Sequence, residues 1–305
     1  MEEDEGDLFG GDMFEEPEGY FVEPPPHSHT SFSFKYTPPP SSSPLSSPPS
    51  PQDLPLRLVG SHVLWGHHQS EAGRLVADMI SGSHPISAVS EQEQKENEHL
   101  YHPYLIPFLS NSGCPLEEGN TRLSIKGKRI LELGGGTALP SLISVLCGAQ
   151  FVVASDYSDP SLLDNISINV STVLNSSLSS KIAVVGHIWG KDVTPLLQAG
   201  REGGNSDEGK FDLIILSDLV FNHSEHAGLL RSCRSCLAPG GAVLVVMIHH
   251  KPENEKKDTN FLLLAQQQPY AFQCQKIFHT RRPVTFPDDE GFEDVRSTAH
   301  VYCLY

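Results

Sequence analysis

The chain has 305 residues, 38% hydrophobic and 19% charged, with a formal net charge of -17. That apolar fraction supports a sizeable core in one folded domain but is diluted by a segment that buries little. A field of this sign repels phosphates and anionic headgroups, so neither a nucleic acid nor a membrane is an expected partner, whereas a basic protein surface is drawn in.

Met1 is followed by Glu2, Glu3, Asp4 and Glu5, the opposite of a basic export signal, and no apolar run approaches the ~20 residues of a membrane helix. A cytoplasmic location is therefore expected. The six cysteines are scattered, as befits reduced thiols. Cys233 and Cys236 form a lone C-x-x-C without a second pair and read as thiols on a helix. The N-x-S sequons at Asn165, Asn169, Asn175 and Asn222 read as chance matches.

In chain order, residues 1–55 read as an acidic, Pro/Ser-rich disordered tail. The run from Pro38 to Pro51 cannot bury enough apolar area to fold. An island with Met13, Phe14, Tyr20 and Phe21 is either a docking segment or plain solubilising chain. The folded domain is expected over 56–305, with a polar loop from Ser81 to His99. Strands are predicted at Arg129 to Leu133, Phe151 to Ser155, Ile182 to Val185, Phe211 to Ser217 and Ala242 to Ile248, each a short apolar run of the kind buried on both faces. Helices are predicted at Leu139 to Cys147, Ser161 to Leu174, Pro195 to Ala199, Ser224 to Cys236 and Asp258 to Gln267. The alternation implies a doubly wound, mostly parallel α/β sheet. Phe272 to Phe278 and Ala299 to Tyr305 close it as an antiparallel pair. A seven-stranded Rossmann-like sheet with an antiparallel last strand resembles S-adenosylmethionine-dependent methyltransferases rather than dehydrogenases.

The motifs sit at strand ends. Leu133-Gly134-Gly135-Gly136-Thr137 runs from the first predicted strand into a helix, and its glycines permit a tight turn and close approach of a ligand. Glu132 precedes them, and an acid there suits the cationic sulfonium or α-amino group of S-adenosylmethionine. Asp156 lies twenty positions beyond Gly136, where a carboxylate accepts ribose hydroxyls; the competing role of helix N-cap is better filled by Asp159 or Ser161. Trp65 and Trp189 either flank the cofactor or belong to the core. Ser217 falls where the adenine or methionine portion passes, and Asp218 and Asn222 face the acceptor's entrance. His249 and His250 end a strand beside the same cavity; as neighbours on a strand they point to opposite faces, which disfavours a shared metal.

Taken together, these motifs resemble the lysine-methyltransferase-like seven-strand family. The shared motifs are Leu64-Trp65-Gly66, Glu132-Leu133-Gly134, Ser155-Asp156-Tyr157, Trp189-Gly190 and the Asp218 to Asn222 segment. More narrowly, the acidic aromatic island and His249-His250-Lys251-Pro252 resemble a fungal branch once labelled nicotinamide N-methyltransferase-like. The resemblance implies S-adenosylmethionine as cofactor, contacted by Trp65, Gly134, Gly135, Gly136, Asp156, Trp189 and Ser217. It also implies methylation of the N-terminal amine, or a nearby lysine, of translation elongation factor 1-alpha, by a monomeric enzyme with no metal. Asp218 is the expected amine-orienting residue. Two stretches depart from the pattern: Gln69-Ser70-Glu71 stand where Leu-Trp-Asn is expected, and Thr137 follows the glycines in place of a small residue. The first departure lies near the acceptor entrance. Two other functions compete: a small-molecule N-methyltransferase acting on a nicotinamide-like amine, and a non-catalytic S-adenosylmethionine-binding module.

Overall fold

The computed structural model describes residues 27–34, 52–60, 67–82, 125–203, 208–286 and 291–305. Trp65, the acidic aromatic island, the whole Pro38 to Pro51 run and the expected Ser81 to His99 loop (save Ser81 and Gly82) lie outside the described residues. Strands β3 (Arg129–Leu133), β4 (Phe151–Asp156), β5 (Ile182–Gly186), β6 (Phe211–Ser217), β7 (Leu237–Ile248), β8 (Cys274–Arg281) and β9 (Thr298–Leu304) form a seven-stranded sheet in the order β5-β4-β3-β6-β7-β9-β8. The pairs among β3 to β7 are parallel, and β9 runs antiparallel to both β7 and β8. The expected closing pair is present, with the last strand inserted between β7 and β8 rather than added at the edge.

Period-two alternation sends successive side chains to two cores. Ile130 of β3 and Ile215 of β6 join one with α1 (Glu71–Ser81), α2 (Leu139–Leu146) and α3 (Pro160–Val173). Leu131 and Leu133 join the other with α5 (Thr194–Glu202), α6 (His226–Cys236) and α7 (Glu255–Gln266). Two four-residue helices, α4 (Ser176–Ser179) and α8 (Glu293–Arg296), also occur among the described residues. Cys233 and Cys236 are buried on α6 as expected, and burial pushes the Cys236 thiol up to about 12. Among the described residues no cluster of three metal-ligand side chains occurs, and no helix is long and apolar enough to cross a membrane.

The tail boundary needs correction. Ser28–Phe34 (β1), inside the expected tail, pairs antiparallel with Gln52–Leu58 (β2), Phe32 facing Leu54. Phe32, Phe34, Leu54 and Leu56 are buried in the same core as α1. Apolar residues alternate along both strands, and that alternation, too short to outweigh the Pro/Ser composition around it, is what folds them.

Two asparagines of α3 pin this hairpin to the domain. Asn169 Oδ1 accepts from the Arg57 backbone N–H at 2.7 Å, and its Nδ2 donates to Arg57 O and Thr137 O. Asn165 Nδ2 also donates to Arg57 O. Both are 1% exposed, which explains why their sequons are chance matches. Asn169→Ala strands the part-buried Arg57 N–H, while Arg57 O keeps Asn165, so a loss of about 1 kcal/mol in urea denaturation is expected.

Candidate functional site

The carboxyl ends of β3, β4, β6 and β7 open into one cavity of about 1060 Å³, at the upper end of the range for ligand sites. Of the residues expected from sequence, Gly134, Gly135, Gly136, Asp156, Trp189, Ser217 and Asp218 all line it.

The glycine turn forms because its backbone needs what only glycine gives freely. Gly134 and Gly136 have φ of +65° and +58°, and a Cβ on Gly134 would meet Leu219 Cδ2 at 2.5 Å. Around the Gly136 Cβ position there is nothing within 4 Å, so backbone lies open to a ligand there. The Gly136 N–H donates to Asp156 Oδ2 at 2.7 Å, and the Tyr157 N–H donates to Oδ1 at 2.7 Å. Asp156 is thus fixed by two amides. An open glycine backbone beside an oriented carboxylate fits an adenosyl group. Past β5, Ser232 of α6 bonds His187 Nε2 and accepts from the Gly190 N–H, both at 2.8 Å, which sets the Trp189 wall between them. Burial lowers the His187 pKa. Nothing in the sequence pointed to Ser232, because its partners are brought to it only by the packing of α6.

Glu132 is not where the sequence suggested. It shares the Ile130 face of β3, beneath α2, and is wholly buried, away from the cavity lining. Its Oε2 accepts from Ser141 N at 3.0 Å and Ser141 Oγ at 2.5 Å, capping the helix that follows the glycines. Burial pushes its carboxyl up to about 8, against the bonds from Ser141 that lower it. It therefore holds the turn and leaves the ligand's cation to other groups.

In the same cavity Asp218 follows β6 with φ +62°, a conformation that costs a non-glycine residue about 1 kcal/mol. Ser70 Oγ donates to Asp218 Oδ2 at 2.6 Å, and His250 Nε2 lies 2.8 Å from Oδ1 and 2.9 Å from Oδ2. His249 turns the other way, to Asp258 Oδ2 at 2.7 Å, and Asp258 Oδ1 also holds His223 at 2.6 Å. The two histidines thus diverge as strand neighbours should. Phe286 stands edge-on between His68 and His250, with centroids 5.0 and 4.9 Å away. Asn222 lines the cavity as expected.

The three departing residues are all built into this site. Gln69 Oε1 accepts from Thr137 Oγ1, so the second departure is the first one's partner. Ser70 caps α1 through the Ala72 N–H while holding Asp218. Glu71 pairs with Arg282 at 3.0 Å, and Arg282 also reaches Asp78 at 3.1 Å, which fastens to α1 the segment that carries Thr285 and Phe286 into the cavity.

Comparison with known proteins agrees with this geometry. The lysine methyltransferase family matches residues 102–268. A protein N-terminal and lysine N-methyltransferase of Schizosaccharomyces pombe is 33% identical over 303 residues, covering 98% of this chain and 96% of its own. Its namesake from Candida albicans is 34% identical over 309 residues, covering 100% and 98%. A third, from Cryptococcus neoformans, is 31% identical over 317 residues, covering 98% and 89%.

Two outcomes follow from the carboxylates. Asp156→Ala should weaken S-adenosylmethionine binding at least about tenfold by titration calorimetry, since a charge-assisted bond is worth roughly 1.5 kcal/mol or more; an unchanged affinity defeats the ribose assignment. Glu132 is protonated in the fold up to about pH 8 but only up to its ordinary 4.5 when unfolded. Its contribution is therefore lost as pH rises through that window. Glu132→Gln, which keeps the acceptor and removes the titration, should flatten the fall in urea midpoint between about pH 5 and about pH 8.

Proposed function

The chain belongs to the lysine methyltransferase family and is an S-adenosylmethionine-dependent N-methyltransferase; we propose that its acceptor is the N-terminal α-amine, or a nearby lysine, of translation elongation factor 1-alpha. The observation that carries this reading is the Asp218 carboxylate, held by Ser70 and His250 in the same cavity as the Gly136–Asp156 backbone cradle. Relatives that match nearly end to end bear names with both kinds of amine, N-terminal and lysine. Of the motifs behind the elongation-factor resemblance, Gly134, Asp156, Trp189, Asp218, Asn222, His250 and Lys251 line this cavity.

Electrostatics favour a cationic chain end as visitor. Asp156, Asp159, Asp218, Glu225 and Asp258 line the cavity, whereas Lys251 is the one lysine or arginine among its described lining residues. The net charge of -17 draws a basic surface toward that opening. A protein terminus also suits a cavity of this size, which has room for an adenosyl group and an extended chain together. The protein acts, on this reading, as a monomer in the cytoplasm.

The bound cofactor supplies an electrophilic methyl on a sulfonium, a leaving group that needs no acid. What remains for this chain is positioning and desolvation, and positioning alone can account for several kcal/mol of a barrier. Gly134 to Gly136, Asp156, Trp189 and Ser217 hold the donor's end. Asp218 receives the ammonium, orients it and keeps it while its proton leaves to water. The demand is modest for an α-amine of pKa about 8 and larger for a lysine near about 10.4.

A lysate assay tests the acceptor. Purified protein and tritiated S-adenosylmethionine are incubated with extract from cells lacking this enzyme, and labelled bands are identified by mass spectrometry. A single band at elongation factor 1-alpha, modified at its first residue or an adjacent lysine, is expected. Label confined to small molecules establishes a nicotinamide-like acceptor in its place, and cofactor binding without any label marks a non-catalytic module.

A further inference from the structure

We propose that His250 is a positioning residue for methyl transfer: with Ser70 it clamps the Asp218 carboxylate so that one oxygen keeps an open lone pair for the acceptor amine. The inference rests on the reading of Asp218 as the amine-orienting group and adds a residue that neither the family match nor the names of the relatives assign.

The argument is one of satisfiability. A carboxylate offers about four lone-pair positions. Asp218 Oδ2 takes two contacts, Ser70 Oγ at 2.6 Å and His250 Nε2 at 2.9 Å, which fill its share. Oδ1 takes one, His250 Nε2 at 2.8 Å, which leaves it a position for an N–H of the substrate. The clamp also steadies a residue in the left-handed region, at φ +62°, which has no other fixed reason to keep its side chain in the cavity. Its two arms come from distant parts of the chain, the cap of α1 and the end of β7, so neither local structure nor β6 itself sets the orientation.

His250 is itself held. Phe286 packs edge-on to its ring at 4.9 Å, and Phe221 lies edge-on at 6.5 Å. The charged groups facing it are Asp218 from the end of β6, Asp258 from α7 and Arg296 from α8. Burial favours the neutral ring, but the Asp218 charge and hydrogen bond, with Asp258, outweigh burial and Arg296 and raise its pKa. When the ring is charged, the pair carries no net charge and offers little to an ammonium. When the ring is neutral, Nε2–H still donates to Asp218, and the pair carries the full negative charge. The competent form is therefore the one present above the His250 ionisation.

Steady-state kinetics across pH separate this role from a structural one. The wild-type chain should show log kcat/KM rising with a slope of about two on the acid side, one proton from the amine and one from His250. In His250→Gln, whose amide still donates to Asp218 but does not titrate, the slope should fall to about one. His250→Ala should lower kcat by about tenfold to a hundredfold, with the Gln variant restoring part of it. S-adenosylmethionine affinity should stay within about twofold in both, which also certifies that they fold. An independent reading needs no turnover: by NMR, the His250 ring in the free protein should titrate at lower pH in Asp218→Asn than in the wild type. Equal kcat and equal acid slopes in wild type and both variants overturn this inference alone. A wild-type chain that methylates no amine overturns the acceptor reading and this inference with it.

Discussion

β3, β4, β6 and β7 run parallel, so their carboxyl ends lie along one edge, and every chain reversal there delivers a residue to the same crevice. The glycine turn follows β3, Asp156 ends β4, Ser217 and Asp218 end β6, and His250 follows β7. Remove the parallel register and these side chains have no reason to meet. The two cores on either face of the sheet keep that register, since a slip of one residue would exchange their side chains.

Around this edge the molecule uses buried polar groups as fasteners. Glu132 caps the helix below the glycine turn, Asn169 ties β2 to the same turn through Thr137, and Gln69 reaches Thr137 from the entry to α1. The glycine turn is thus braced from three directions. Such groups are expensive to bury and are tolerated because each finds a partner. Beside them, α1 and the segment after β8 are joined through Glu71, Arg282 and Asp78. Of the departures from the family's usual pattern, Gln69 and Thr137 belong to the bracing of the glycine turn, Ser70 holds Asp218, and Glu71 joins α1 to the segment after β8.

Much of this was legible in the chain itself. Apolar runs of strand length separated by helical periods specify an α/β sheet, and glycines immediately after a strand mark a turn that meets a ligand. Asp156 was readable because its distance from Gly136 spans one helix and one strand, a spacing that the fold leaves little freedom to vary. Glu132 was misread although the signal was present: it shares a face with Ile130 and alternates with Leu131, so the helix after the turn was bound to cover it. The β1 strand was missed because Phe32 and Phe34 stand among serines and prolines, where composition over a long window hides alternation over a short one.

By itself, then, the sequence determined the order of strands and helices, the glycine turn, the ends of β4 and β6 as cavity-lining positions, and the negative field. These follow from local periodicity, from backbone freedom and from a sum of charges, none of which requires knowing what lies beside what. Only the tertiary structure decided that Ser70, Asp218 and His250 share one carboxylate, that Ser232 sets the Trp189 loop, and that Glu71 and Arg282 fasten the acceptor wall. Those contacts join residues 32 to 211 positions apart. Hydrogen bonds act over about 3 Å, so such partners are chosen by the packing of whole helices on the sheet, and no short stretch of sequence carries that choice.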